Sequence, residues 1–231
     1  MIFRKYLNKT GHTDVSLISQ DHTMEDIFII GNGPSLNRFN ARDFKNVFTI
    51  GTNRSWLWGD TNILIWRDSR ITDEIEFFKL EKKDYSKWIC SRDKAFTSVL
   101  LKDHSHVSKM LDYTFPDNWM KDVLDTNIRW NGIAFHAIAL AKFISEDAKI
   151  HLVGIDLDYE LDHHFFNMIN GFNQGYYRSS WEQTNYNYKK RLDMMYSNFK
   201  ELKDRGYSFI NHSESSRLCE LFGYKEFNSE A

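Results

Sequence analysis

Short, almost purely apolar runs recur along the chain, and each ends in a polar or glycine-containing turn. The first is Ile27, Phe28, Ile29 and Ile30, too short for a helix and suited to a strand buried on both faces. "NVFTIGTNRSW" (46–56) predicts a second strand and "NILIWRDS" (62–69) a third, which breaks into charge at Arg67 and Asp68. "KWICS" (87–91), "KIHLVGID" (149–156) and "YSFIN" (207–211) complete the set. Helical spacing lies between them. "TDEIEFFKL" (72–80) opens on a capping Thr72 or Asp73, and "NGIAFHAIALAKFI" (131–144) is rich in Ala and Ile with Asn131 as the expected N-cap. Residues 182–206 read as a long helix stopped by Gly206, and "SSRLCELFG" as a short closing one. The stretch 92–126, which carries the second proline, suits helices or an insertion.

Apolar strands alternating with helices predict an α/β, Rossmann-like fold: a mostly parallel sheet with helices on both faces. Such sheets bind ligands at the carboxyl ends of their strands. The turns after residues 30, 50, 66 and 155 all fall at such ends, so the topology gathers them into one crevice. Residues 157–182, rich in Asp, His, Asn, Gly, Tyr and Ser, read as a long surface segment. A lid of about 157–190 would then lie over the strand ends.

The 231 residues fit one domain spanning 25–231, preceded by a polar extension of residues 1–24. With 42% hydrophobic and 27% charged residues the composition is that of an ordinary soluble protein, and 11 Gly and 2 Pro leave little material for linkers. A net charge of −2 gives no general attraction to nucleic acid or anionic membrane. Cys90 and Cys219 form no CxxC and no disulfide framework, which fits a reducing, cytoplasmic location. The longest apolar stretch, 133–144, is interrupted by His136 and Lys142, so no membrane span is expected, and the N-terminus lacks a signal-peptide core.

The turn Gly31-Asn32-Gly33-Pro34-Ser35 is neither a GxGxxG fingerprint nor a Walker loop, lacking the third Gly of one and the Gly-Lys-Ser/Thr of the other. Its backbone and Ser35 offer donors to a phosphate or ribose; the alternative is a structural turn with Ser35 capping a helix. Asn53, one strand later, offers both donor and acceptor beside Asn32, while Arg54 reads as a phosphate partner or a solvated cation. The start of the 131–144 helix, with Asn131 and Gly132 and the nearby Arg129, is a candidate anion site. His136 within that helix reads as a packing residue.

Asp156, Asp158 and Asp162 suit a divalent cation such as Mg²⁺, or sugar hydroxyls; an exposed polar loop is the alternative. One of His163 and His164 is a candidate general base, and no ligand spacing supports zinc. "GYYRSSWEQTNYNYKK" (175–190), with Arg178 and Lys189, could stack on a sugar or base and hold phosphate, or be an amphipathic helix with an aromatic face.

"IIGNGPSL", "GTNRSW" and "RWNGIAFHAIALAKFISEDAKIHLVGIDLDY" together resemble the family 42 bacterial sialyltransferases and a wider Rossmann-like set that includes archaeal 6-hydroxymethylpterin diphosphokinases. The likeness runs discontinuously over about residues 26–160, with a weaker echo at "FINHSESSRL". It implies a nucleotide-binding sheet with a lid, transferring a group from an activated nucleotide. Asn32, Gly33 and Ser35 would contact the donor's phosphate and sugar, and Asn53 would lie near the transferred group. Asn131 and Gly132 stand where the sialyltransferases have Ser-Gly, and Asp156 would bind the ribose or order its loop. Asp158 occupies the place of a sialyltransferase tyrosine, and no His occurs between His164 and His212, where their catalytic histidine would fall. These departures shift the expectation toward a metal-assisted donor diphosphate.

The expected activity is a glycosyltransferase that takes a nucleotide-sugar donor to an acceptor hydroxyl, on a glycan or on a hydroxymethylated DNA base. His163 or His164, with Asp158, would serve catalysis, and Arg178 and Lys189 would neutralise the leaving group. The alternatives are a Mg²⁺-dependent pyrophosphokinase acting on a small molecule and a non-catalytic nucleotide-binding module.

Overall fold

The computed structural model describes residues 24–66, 87–90, 132–158 and 181–228, with Ile71 and Leu124 as isolated positions. Among the described residues the apolar runs form six strands: β1 (Asp26–Ile30), β2 (Phe48–Thr52), β3 (Ile63–Trp66), β4 (Lys87–Cys90), β5 (Lys149–Val153) and β6 (Phe209–Asn211). They make one sheet in the order β4-β3-β2-β1-β5-β6. All five neighbouring pairs are parallel. This is the expected α/β, Rossmann-like architecture. The expected helix at 72–80, the stretch 92–123 and most of the lid lie outside the described residues. The part of the lid from Trp181 onward is the beginning of a helix.

A strand buried on both faces needs no polar alternation, and β1 has none. Ile27 and Ile29 point into a core shared with Ile50, Phe135, Ile138, Leu152 and Phe199. Phe28 and Ile30 point the other way, into a second cluster with Leu36, Phe44 and Val153. Helix α1 (Ile133–Ile144) covers the first face, with Phe135 and Ala137 to Ala141 buried. Helix α2 (Trp181–Asp204) joins it through Leu192, Phe199 and Leu202. Helix α3 (Cys219–Phe222) follows β6 and is shorter than its sequence suggested. Among the described residues no helix is long and apolar enough to cross a membrane.

The direction of α1 fixes which groups reach the strand ends. At its carboxyl end Ser145 Oγ donates to the Met24 carbonyl, and the Lys149 amide donates to Glu25, both at the amino end of β1. Twelve helical residues rise about 18 Å, close to the length of the strands they cover. The amino end of α1 therefore stands at the carboxyl edge of the sheet.

The turn after β1 is drawn tightly against the end of β5. The Gly31 amide donates to Val153 O and the Gly33 amide to Gly154 O, both at 2.7 Å. A Cβ on Gly31 would overlap the Gly154 carbonyl, and one on Gly33 would overlap the Asp156 carboxylate. Glycine is required here for close approach of two backbones. Gly31→Ala is expected to lower unfolding stability by about 3 kcal/mol, as overpacking against backbone does. A urea titration checks this; a midpoint within error of the parent would show that the two turns separate freely.

Candidate functional site

The sheet builds outward from β1 through β2 and β3 to β4, then returns to place β5 and β6 on the other side of β1. This reversal between β1 and β5 opens a crevice at their carboxyl ends, the place where open parallel sheets take ligands. Asn32, Gly33 and Ser35 follow β1, Asn53 follows β2, and Asp156 and Asp158 follow β5. The fold brings all six to one edge, with Gly132 at the amino end of α1 on the same edge. Asn131, His163, His164 and Arg178 lie outside the described residues, as do Arg129 and Asp162.

The crevice at Ser35 is filled from within. The Ser35 amide donates to Asp156 Oδ2 at 2.8 Å, and the Ser35 hydroxyl holds Asp156 Oδ1. Ser35 Oγ also meets Ser213 Oγ at 2.9 Å, and Ser213 Oγ accepts from the Gly154 amide at 3.0 Å. Four N–H groups are available in residues 31–35, because Pro34 has none. Those of Gly31, Gly33 and Ser35 are all committed inside the protein. The expected phosphate cradle at Gly33 and Ser35 is thus occupied by a side-chain carboxylate, which sits at the start of the short 3-10 helix Pro34–Arg38. Ser35 is not that helix's N-cap; Gly33 is.

Asp156 is 3% exposed. Burial pushes its carboxyl above the usual range, and its hydrogen bonds from Ser35 and Ser213 pull it partway back. With both oxygens turned onto Ser35, Asp156 does not fit the role of a metal ligand or of a free acceptor for ribose. Asp158 lies half-buried beside it, and among the described residues no group of three His, Cys, Asp or Glu side chains could hold a metal ion. Leu157, between the two aspartates, has φ 54, a left-handed conformation that costs a non-glycine residue about 1–2 kcal/mol. The loop is held by its neighbours: Ser216 Oγ donates toward the Ile155 carbonyl at 2.7 Å, and the Arg217 amide donates to Asp156 O at 2.8 Å.

Asn32 and Asn53 have a different character. Asn32 Nδ2 donates to Thr52 O at 2.7 Å and to Thr52 Oγ1 at 3.0 Å, which fixes its amide with the oxygen turned away. Asn32 Oδ1 and Asn53 Oδ1 are both buried without a hydrogen-bond partner. Asn53 also holds φ 46, a conformation in which Asn is several-fold enriched among non-glycine residues. Two buried acceptors lacking donors are costly, and such pairs are expected where a ligand completes them. Arg54, next to Asn53, is buried rather than solvated.

At the amino end of α1 the N-cap is Gly132, one residue later than the sequence suggested, and Gly132 has no side chain with which to cap the helix. A helix of this length ending in uncapped amides is favourable to an anion. The edge therefore carries acceptors at Asn32 and Asn53, donors at the start of α1, and a sealed carboxylate between β1 and β5.

Thr52, Ser213 and Ser216 complete this arrangement and were not singled out from the sequence. Their signal was weak: Thr52 ends an apolar strand, and the serines stand in the "HSESSR" stretch directly after the last one. No family model matches the chain, and neither a curated protein nor a solved structure does.

Replacing Asp156 by Ala would leave the Ser35 amide and hydroxyl buried without an acceptor. The expected loss is about 3 kcal/mol of unfolding free energy, with Ser35→Ala costing less. Chemical denaturation of both variants checks this. An Asp156→Ala protein as stable as the parent would return Asp156 to the role of a ligand-binding group.

Proposed function

We propose that the chain is a transferase acting on a nucleotide-activated sugar, with the donor bound at the carboxyl edge of β1 and β2 and the amino end of α1. The carrying observation is the pair of buried, donorless amide oxygens of Asn32 and Asn53. They call for a ligand that brings hydrogen-bond donors, such as sugar hydroxyls. The uncapped start of α1 calls for an acceptor, such as phosphate. A nucleotide sugar carries both within one molecule; a bare phosphate or nucleotide triphosphate carries chiefly acceptors at its reacting end.

In this reading the acceptor's oxygen attacks the anomeric carbon while the carbon–oxygen bond to phosphate breaks. The acceptor proton passes to His163 or His164, and Arg178 and the α1 amides stabilise the departing phosphate. Asp156 orders the turn and takes no part in the bond changes. The two widely separated cysteines suit a cytoplasmic enzyme.

Thermal denaturation against nucleoside mono-, di- and triphosphates and nucleotide sugars, with and without Mg²⁺, tests the reading. A nucleotide sugar is expected to raise the melting temperature more than its parent nucleotide. Asn53→Gly keeps the left-handed backbone and removes the amide, so it should weaken that binding about tenfold with the unliganded melting temperature nearly unchanged. Stabilisation by ATP with Mg²⁺ alone, indifferent to every sugar nucleotide, would replace this reading with a pyrophosphokinase.

A further inference from the structure

On the sheet face opposite α1, four groups form a continuous chain that runs from a partly exposed Asp26 through two buried histidines. Asp26 Oδ1 meets His151 Nε2 at 2.7 Å, His151 Nδ1 meets His212 Nε2 at 2.8 Å, and His212 Nδ1 meets the Lys225 carbonyl at 2.7 Å. His151 and His212 are 7% and 4% exposed and stack with Phe28. Three contacts at these distances need three protons. Two neutral imidazoles and a carboxylate supply only two. A carbonyl only accepts, so His212 must donate from Nδ1 and accept at Nε2. His151 must then donate from Nδ1, and its contact with Asp26 is complete only with one proton more.

We propose that this chain is a proton-controlled fastening for the C-terminal segment 223–228: with three protons it holds Lys225, and with two it lets go. A hydrogen bond to a carboxylate is about twice as strong as one between neutral groups. When the third proton leaves, His151 therefore keeps its Nε2–H on Asp26. His212 turns its remaining proton to His151, and a bare Nδ1 faces the Lys225 carbonyl. The segment so released carries Tyr224, Glu226 and Phe227, which wall a cavity of about 190 Å³ whose other side includes Ser35 and Ser213. The stack of Phe227 on Phe44 at 4.3 Å keeps the release local, and the Lys225 amide, bonded to Asn211 O at 2.9 Å, opens with it.

The charged groups facing the chain are Asp26 on β1, Lys149 on β5 and Lys225 on the segment itself. Burial places the His151 pKa below the ordinary histidine value, against the pull of Asp26. Burial also lowers His212 to about 4, and the Lys225 carbonyl opposes that shift. The fastening thus belongs to mildly acidic conditions and is lost as the pH rises through the His151 pKa. Below about pH 4 His212 takes a second proton of its own; its Nδ1–H still meets the Lys225 carbonyl, and the contact with His151 is the one lost. Relative to the unfolded chain, both depressed histidines contribute stability that is present above about pH 6.5 and falls as the pH drops toward their folded values.

Side-chain ¹⁵N NMR of the full chain across pH 4.5 to 8 tests the proposal by reading the His212 tautomer directly, alongside hydrogen-exchange protection of the Lys225 amide. As pH rises, the His212 proton should move from Nδ1 to Nε2, and the protection factor should fall roughly five- to tenfold. In Asp26→Asn the side-chain amide donates to neutral His151, so two ring protons satisfy every contact and neither reading should change with pH. A wild-type His212 that keeps its Nδ1 proton throughout would overturn the proposal, whether or not the variant folds. So would an Asp26→Asn protein that follows the wild-type curve.

Discussion

The Asp156 carboxylate, closed over the Ser35 amide and hydroxyl, is the interaction on which the arrangement of the site depends. It joins the turn after β1 to the loop after β5 across the point where the strand order reverses. A crevice that parallel topology would open to solvent is thereby sealed by a buried carboxyl group. Its burial is tolerable because hydrogen bonds meet both of its oxygens. The Gly31 and Gly33 turn lies close enough for this bond only because neither residue carries a Cβ. Ser213, Ser216 and Arg217 then secure the same loop from the side of β6.

Sealing that position redistributes recognition along the sheet edge. Three of the four amides in the glycine turn are committed within the protein, so the first amides of α1 become the natural place for a phosphate. The acceptors at Asn32 and Asn53 remain unpaired, Asn32 held by its side-chain bonds to Thr52 and Asn53 by its left-handed backbone. Donors and acceptors thus stand apart on one edge, which suits a ligand whose own donors and acceptors are separated. The histidine chain lies on the other side of the sheet and addresses the C-terminal segment, so its protonation and the edge chemistry are distinct properties of one fold.

Much of the fold was legible in local pattern. β1 and β5 are short, mainly apolar runs that suit buried strands, and the α1 sequence has helical spacing throughout. The edge residues were legible as well, because parallel topology assigns the residue after each strand to the same side. Their bonding was not. Ser35 and Asp156 are 121 positions apart, and His151 and His212 are 61. No periodicity reports such pairings. Ser35 and Asp156 read equally well as ligand groups until their mutual contact is known. Asn131 looked the better cap by residue preference, yet the backbone puts Gly132 at that position, because a cap is set by where the helix starts and not by side-chain type alone. The histidines gave no local signal, since one sits within an apolar strand and the other just beyond a short one.

A crystal structure of the protein with the nucleotide sugar that stabilises it best would bear most directly on the division between a sealed carboxylate and an open acceptor pair. Sugar hydroxyls are expected on Asn32 Oδ1 and Asn53 Oδ1, phosphate oxygens on the first amides of α1, and the Asp156–Ser35 bonds intact. A phosphate seated on the Ser35 amide with Asp156 displaced would contradict it.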